Sequence, residues 1–254
     1  MSEPGPPKVT HNWALYAAAA SLAVLLVVAL GLWLHQRRLE ARLVMIDPDQ
    51  AAADPRLVRL STALAKPAYA RHCASCHGAE MQGDQRRGAP RLNDQIWLYG
   101  NGDVADLERT ILYGIRSGDA KSRNITDMPP LGRSEQLNAA EVRDVTTFVL
   151  SLTHPITDPG AVQRGAAIFQ GKGSCYDCHS SDARGNPDYG SPAFTDNDWL
   201  YGGDFDTVYR SIYSGRHGVC PAWIGKLRPA VIRGLAVYLH TITTPPAAKA
   251  NVHD

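Results

Sequence analysis

Cys73-Ala74-Ser75-Cys76-His77 is followed 102 residues later by Cys175-Tyr176-Asp177-Cys178-His179. Both stretches read C-x-x-C-H. Two cysteines at this spacing take thioether bonds to the two vinyl groups of a haem, and the adjacent histidine falls under the iron as its proximal ligand. A lone match of this kind is also compatible with a zinc or redox site. Two matches, each opening a stretch of matching sequence, point instead to two covalently bound c-type haems. Cys73, Cys76, Cys175 and Cys178 would carry the thioethers, and His77 and His179 the irons.

The likeness runs outward from the motifs. The same offset pairs Gly83 with Gly185, Gly88 with Gly190, Pro90 with Pro192 and Asp94 with Asp196. It also pairs Trp97-Leu98-Tyr99-Gly100 with Trp199-Leu200-Tyr201-Gly202. After one gap, Arg109 and Ile111 match Arg210 and Ile212; farther on, Leu137, Ala140, Arg143 and Phe148 match Leu227, Ala230, Arg233 and Tyr238 at an offset of 90. Between these blocks the first copy carries about ten extra residues (GDAKSRNITD), expected to form a surface loop. The chain is therefore a duplicated domain, not an array of short repeats. Each copy opens with a helix bearing one aromatic residue, Tyr69 or Phe169, and closes with an apolar-striped helix. The stripes are Val142, Val145, Phe148, Val149 and Leu152 in the first, and Ile232, Leu235, Val237, Tyr238 and Leu239 in the second. Their spacing is that of a helix packed on one face. Each opening helix is expected to pack on the closing helix of its own copy.

Of 254 residues, 22 are glycine and only 4 phenylalanine, and the formal net charge is +1. That balance gives no argument for nucleic acid. It suits small loop-rich domains whose core is completed by something other than side chains. Four of the five cysteines are taken by the motifs, which leaves Cys220 alone and excludes a disulfide framework within the chain.

A sixth iron ligand is expected from the loop before each closing helix. In the first copy that loop is Asp127-Met128-Pro129-Pro130. A thioether sulfur stiffened by proline suits the task, so Met128 is expected on the iron of His77. No methionine follows Met128 in the chain. In the second copy Cys220 stands where methionine would, within Gly218-Val219-Cys220-Pro221-Ala222-Trp223. Three readings stay open for the iron of His179: Cys220 as a thiolate ligand, His217 as ligand, or an open five-coordinate site with Cys220 as a small buried filler. The remaining histidines are scattered singly and read as surface or core residues.

Trp13–Leu34 is 22 residues without a charge. At ~1.5 Å per residue this helix reaches across a bilayer core of ~30 Å, with Trp13, Tyr16 and Trp33 near its ends as interface anchors. It is too long for the apolar part of a signal peptide, and no cleavage pattern closes it. Arg37, Arg38 and Arg42 follow the span, and by the positive-inside rule would hold the C-terminal part in the cytoplasm. The haem motifs argue the other way, for a single pass of the bacterial inner membrane with both haem domains in the periplasm. The expected fold is all-α: a tail (1–12), a transmembrane anchor (13–35), a polar linker (36–56) whose first part can continue the helix, a cytochrome c domain (57–153), a second linker (154–160), a second cytochrome c domain (161–243) and a tail (244–254).

The anchor, the tandem class I cytochrome c pattern, the G-A-P…W-L-Y-G block and the loop Arg216-His217-Gly218-Val219-Cys220-Pro221-Ala222-Trp223 together resemble the dihaem subunit III of cbb3-type cytochrome c oxidases, over about residues 13–243. The W-L-Y-G and P-A-W blocks are its specific part; the haem pentapeptides are common to all c-type cytochromes. The resemblance implies an electron relay in a respiratory chain. The donor would be a periplasmic cytochrome or the bc1 complex, and the acceptor the oxidase core subunits. It carries over to Cys73, Cys76, His77, Met128, Cys175, Cys178 and His179, and departs at Cys220, where the family has methionine. That departure keeps a second function open, a dihaem oxidoreductase with a His/Cys-ligated catalytic haem, similar to thiosulfate dehydrogenase. The first reading is an electron-transfer subunit with no chemistry of its own; the second is an enzyme.

Overall fold

The computed structural model describes residues 12–244; the tails expected at 1–12 and 244–254 lie outside the described residues except for Asn12 and Thr244. All regular elements in it are helices, and the only strand-like features among the described residues are isolated bridges. The chain divides into two units, one ending at Arg42 and one beginning at Leu43.

The first unit is most of α1 (Trp13–Met45). Its apolar residues from Leu15 to Leu34 are exposed nearly throughout. It is the one helix among the described residues long and apolar enough to cross a membrane. At ~1.5 Å per residue α1 is roughly 50 Å long, so it runs well past the uncharged stretch and takes in HQRRLEARL, as the sequence allowed.

The part of the expected linker 36–56 that lies in the second unit, from Leu43 on, is largely helical. Asp47-Pro48 and Asp54-Pro55 end one helix, but they also begin the next. Proline fits the first helical position because its missing N–H would be unpaired there. The Asp47 carboxylate accepts from the backbone N–H of Asp49 and Gln50 to start α2 (Pro48–Ala53). Asp54 accepts from Arg56 to start α3 (Pro55–His72). Leu43 and Ala51 are fully buried. Arg233, itself buried, donates to the carbonyls of Leu43 (3.1 Å) and Ile46 (2.9 Å) and pairs with Glu108 at 2.7 Å. It thus satisfies carbonyls that a helix end leaves unpaired.

The remaining helices are α4 (Ala74–His77), α5 (Val104–Tyr113), α6 (Ala139–Ser151), α7 (Pro159–Gln170), α8 (Tyr176–His179), α9 (Phe205–Ser214) and α10 (Pro229–Thr243). Asn138 and Glu141 form a reciprocal capping box at the start of α6. How these helices pair departs from expectation. The opening helix of the first copy, α3, packs on α10, the closing helix of the second; α5 also lies on α10. The closing helix of the first copy, α6, packs on α7 and α9 of the second. Phe169 of α7 is fully buried and meets Phe148 of α6 at 5.3 Å between ring centroids. The expectation that each opening helix packs on its own copy's closing helix is therefore corrected. Each packed half is assembled from the front of one repeat and the back of the other.

One half is continuous in sequence. A single buried cluster runs from Leu131 to Ile212, with Met128 against its edge. The other half is discontinuous, built from α2, α3, α5 and α10, and encloses the first in the chain order. Two symmetric crossings make the exchange. Ile115 and Cys220 trade backbone hydrogen bonds of 2.9 Å in both directions, and Met128 and Arg216 do the same at 3.3 and 3.0 Å. Gly114 and Gly215, at φ +71° and +73°, end α5 and α9 just before these crossings. Their ψ values of −172° and 176° place both in a region that only glycine enters freely. A side chain on Gly114 would strike the backbone of Cys220 and Pro221; one on Gly215 would strike Met128 and Pro129.

The extra residues of the first copy are more than a surface excursion. Arg123 folds back onto α5, donating to Asp106 at 2.7 Å and to the Thr110 hydroxyl at 3.0 Å, with its guanidinium over the Tyr99 ring.

Candidate haem sites

Each C-x-x-C-H stretch forms one helical turn, and its histidine is oriented in the same way in both copies. The Nδ1 of His77 lies 2.9 Å from the Pro90 carbonyl, and the Nδ1 of His179 lies 3.0 Å from that of Pro192. A carbonyl only accepts, so Nδ1 carries the proton and Nε2 keeps its lone pair for a metal. Burial lowers both imidazole pKa values, against a smaller opposing effect of the carbonyl, and so favours the neutral ligating form. Pro90 and Pro192 are matching positions, so the repeat conserves the orienting contact as well as the ligand. Phe194 stacks on the His179 ring at 4.3 Å.

Beside His179 lies a cavity of about 490 Å³ whose walls include Cys175, Cys178, His179 and Met128. Met128 was expected on the iron of His77; the structure places it across from His179. Cys220 was expected across from His179; it is not part of that cavity's wall, and its electrostatic neighbours are Cys73 and Cys76. Burial, then the neighbouring Cys220, raises the Cys73 thiol to about 11. Burial, then Cys76, does the same to Cys220. Each of these sulfurs thus has the motif of the other repeat for a neighbour, as each opening helix has the closing helix of the other repeat. A buried thiol with so high a pKa keeps its proton at neutral pH unless a cation stands beside it. His217, the other candidate ligand, is 60% exposed and its Nδ1 is 2.8 Å from Asp127 Oδ2.

The cavity fits a haem in one further respect. The indole N–H of Trp199, in the W-L-Y-G block, is buried, lines the cavity and has no hydrogen-bond partner. An unpaired buried donor is costly, and a carboxylate-bearing group in the cavity would satisfy it. Its wall also carries Arg116, Arg216 and Tyr201, along with the carboxylates of Asp127, Asp177 and Asp198. Arg216 lies over the Tyr201 ring at 4.0 Å. The aromatic pair of the repeat is exchanged too: a side chain on Gly88 would strike Tyr201, and one on Gly190 would strike Tyr99. Arg116 and Phe194 are site residues that the sequence reading missed. The signal for Arg116 was a second R-x-G, Arg116-Ser117-Gly118 beside Arg216-His217-Gly218.

Comparison with known proteins bears on the family. The family model for cytochrome c matches residues 63–153, and the model for subunit III of cbb3-type cytochrome c oxidase matches residues 160–239. The chain is 39% identical over 203 residues to the FixP subunit of the cbb3-type oxidase of Azorhizobium caulinodans, covering 80% of this chain and 67% of that one. It belongs to the cbb3-type oxidase subunit III family. The FixP subunit of Bradyrhizobium sp. (strain ORS 278) is 40% identical over 190 residues, or 74% of this chain, and this chain spans 63% of that relative's length. The CcoP subunit of Cereibacter sphaeroides is 35% identical over 199 residues, covering 78% of this chain and 67% of its own. As a subunit III family member with cytochrome c domains, the chain carries covalently bound c-type haem, and its single apolar N-terminal helix fits a membrane-anchored protein.

Proposed function

We propose that this subunit relays electrons as a membrane-anchored dihaem cytochrome with two irons of unequal potential. Cys73 and Cys76 hold one haem, with His77 and Cys220 as axial ligands. Cys175 and Cys178 hold the other, with His179 and Met128. The observation that carries the reading is the repeated site itself: two C-x-x-C-H turns, each with its histidine Nδ1 on a proline carbonyl, with Met128 on the wall of the His179 cavity and Cys220 close enough to Cys73 to act on its thiol. Bound haem supplies an iron that gains or loses one electron. The chain's residues set its tendency to do so. A thiolate at Cys220 stabilises the ferric state and lowers the potential, whereas the neutral thioether of Met128 favours the ferrous state and raises it. The haem domains face the periplasm, taking electrons from a periplasmic cytochrome or the bc1 complex and delivering them to oxidase core subunits.

Low-temperature EPR and an optical potentiometric titration of the membrane-extracted protein test this. Two one-electron steps are expected, the lower one carrying a low-spin thiolate-type signal that vanishes in Cys220→Ala. High-spin iron unaffected by that substitution, or two equal steps, would overturn it. The relatives are oxidase subunits, which favours a relay over an enzyme; the purified protein should accordingly show no thiosulfate-dependent haem reduction and should co-purify with oxidase core subunits.

A further inference from the structure

Beyond the backbone pair of Met128 and Arg216, the loops that carry Met128 and Cys220 are bridged by the side chain of Arg116. Arg116 follows α5 and holds a left-handed backbone, φ +49°, which a residue with a side chain adopts only when its surroundings impose it. Its Nε donates to the Gly218 carbonyl at 2.6 Å, and its Nη1 donates to the Thr126 carbonyl at 3.1 Å. The same Nη1 is 3.4 Å from the Tyr99 hydroxyl, and Nε is 3.3 Å from Asp127. Thr126 lies two residues before Met128, and Gly218 two residues before Cys220. His217, from the Cys220 loop, reaches across to Asp127 in the Met128 loop. The side chain is 15% exposed, and Arg116 forms part of the wall of the cavity beside His179. Five donors in a rigid plane allow one arginine to bridge two carbonyls at fixed separation, which lysine cannot reproduce.

We propose that Arg116 is a positioning residue shared by both haem sites: by holding the Thr126 and Gly218 carbonyls it fixes the Met128 loop and the Cys220 loop against each other, so that the two redox centres are tuned together. The proposal rests on the ligand pairs assigned above. It adds a coupling between them, with a positive charge set at the edge of the His179 cavity.

The test is a potentiometric titration with EPR on the full haem-loaded protein, comparing wild type, Arg116→Gln, Arg116→Lys and, as control, Arg164→Gln, whose ion pair with Asp144 joins α6 to α7 and involves neither loop. Arg116→Gln should shift the reduction equilibrium of the His179/Met128 centre about tenfold toward ferric iron, ~59 mV for one electron. In the same sample it should displace or broaden the EPR signal of the His77/Cys220 centre. Arg116→Lys should recover most of the potential, through its charge, but leave the EPR signal altered, since the fork is lost. Arg164→Gln should change neither. A lowered melting temperature with both centres unchanged would overturn the proposal, as would a change confined to one centre. Failure of the ligand assignment would show separately, as a wild-type spectrum without the thiolate signal.

Discussion

Removing one attachment motif separates the two distal sulfurs. In Cys73→Ala/Cys76→Ala protein the remaining haem is tied to Cys175 and Cys178. Its oxidised spectrum should then show methionine coordination through Met128, with no thiolate-type EPR signal. Pairing within each repeat would give the opposite result, a thiolate-ligated survivor. Gly215 offers a subtler probe. Gly215→Ala puts a side chain against the Met128 and Pro129 backbone at φ +73°, which should cost about 1–3 kcal/mol in denaturant unfolding. It should weaken the methionine band more than it disturbs the Cys220 signal, and Gly114→Ala should do the reverse. At this scale the sequence names the candidate residues and pairs each motif with the loop of its own repeat. The thioether cysteines, both proximal histidines and both distal sulfurs are visible as residue types at fixed spacings. Which sulfur serves which iron is not, because Asp127-Met128-Pro129 and Val219-Cys220-Pro221 sit in equivalent loops that either motif can accept.

The elements carry the exchange through contacts that repeat-by-repeat reading treats as interchangeable. α3 and α7 are alike, and so are α6 and α10, so swapping partners preserves the kind of every buried contact. The opening and closing helices are legible from their apolar stripes, whereas the starts at Asp47-Pro48, Asp54-Pro55 and Asn138 come from the structure. One signal for the pairing did exist. Only the residues from Leu152 to Asp158 separate α6 from α7, and so short a connection makes two helices antiparallel neighbours. Two substitutions probe this contact. Phe169→Ala, which empties a fully buried site against Phe148, should cost about 3–5 kcal/mol and should disturb the Met128-ligated centre more than the other. Asp144 and Arg164 clamp α6 to α7 with two hydrogen bonds, of 2.7 and 2.8 Å. Hydrogen bonding to Arg164 holds the Asp144 carboxyl below the usual aspartate range. A depressed carboxylate contributes stability above its unfolded pKa of about 3.9 and loses it as pH falls through the folded value. The melting temperature of Asp144→Asn should therefore fall below wild type at pH 6, and the gap should close on acidification through that window.

Across the second unit, the structure nests one haem-binding half inside the other. Family models match the chain as two consecutive blocks, 63–153 and 160–239, and that is how the duplication reads in sequence. The packed halves have different boundaries, because the chain crosses between them after α5 and again after α9. A protease site placed at His154–Asp158 tests this directly. The cleaved halves, each with one haem motif, should stay together on gel filtration without denaturant, since each half needs the other's closing helix. Two self-contained consecutive domains would instead come apart. Nesting also sets an order in time. The inner half has all its buried residues once the chain has been made to Ile212, so it can close early. The outer half brings α3 against α10, more than a hundred and fifty residues later, and contacts of such separation form slowly. Its opening segment, with Cys73 and Cys76, must wait until the last helix has been synthesised. A chain stopped after Arg228 should therefore keep a methionine-ligated haem and lose the other, so that the motif made first is the last to be enclosed.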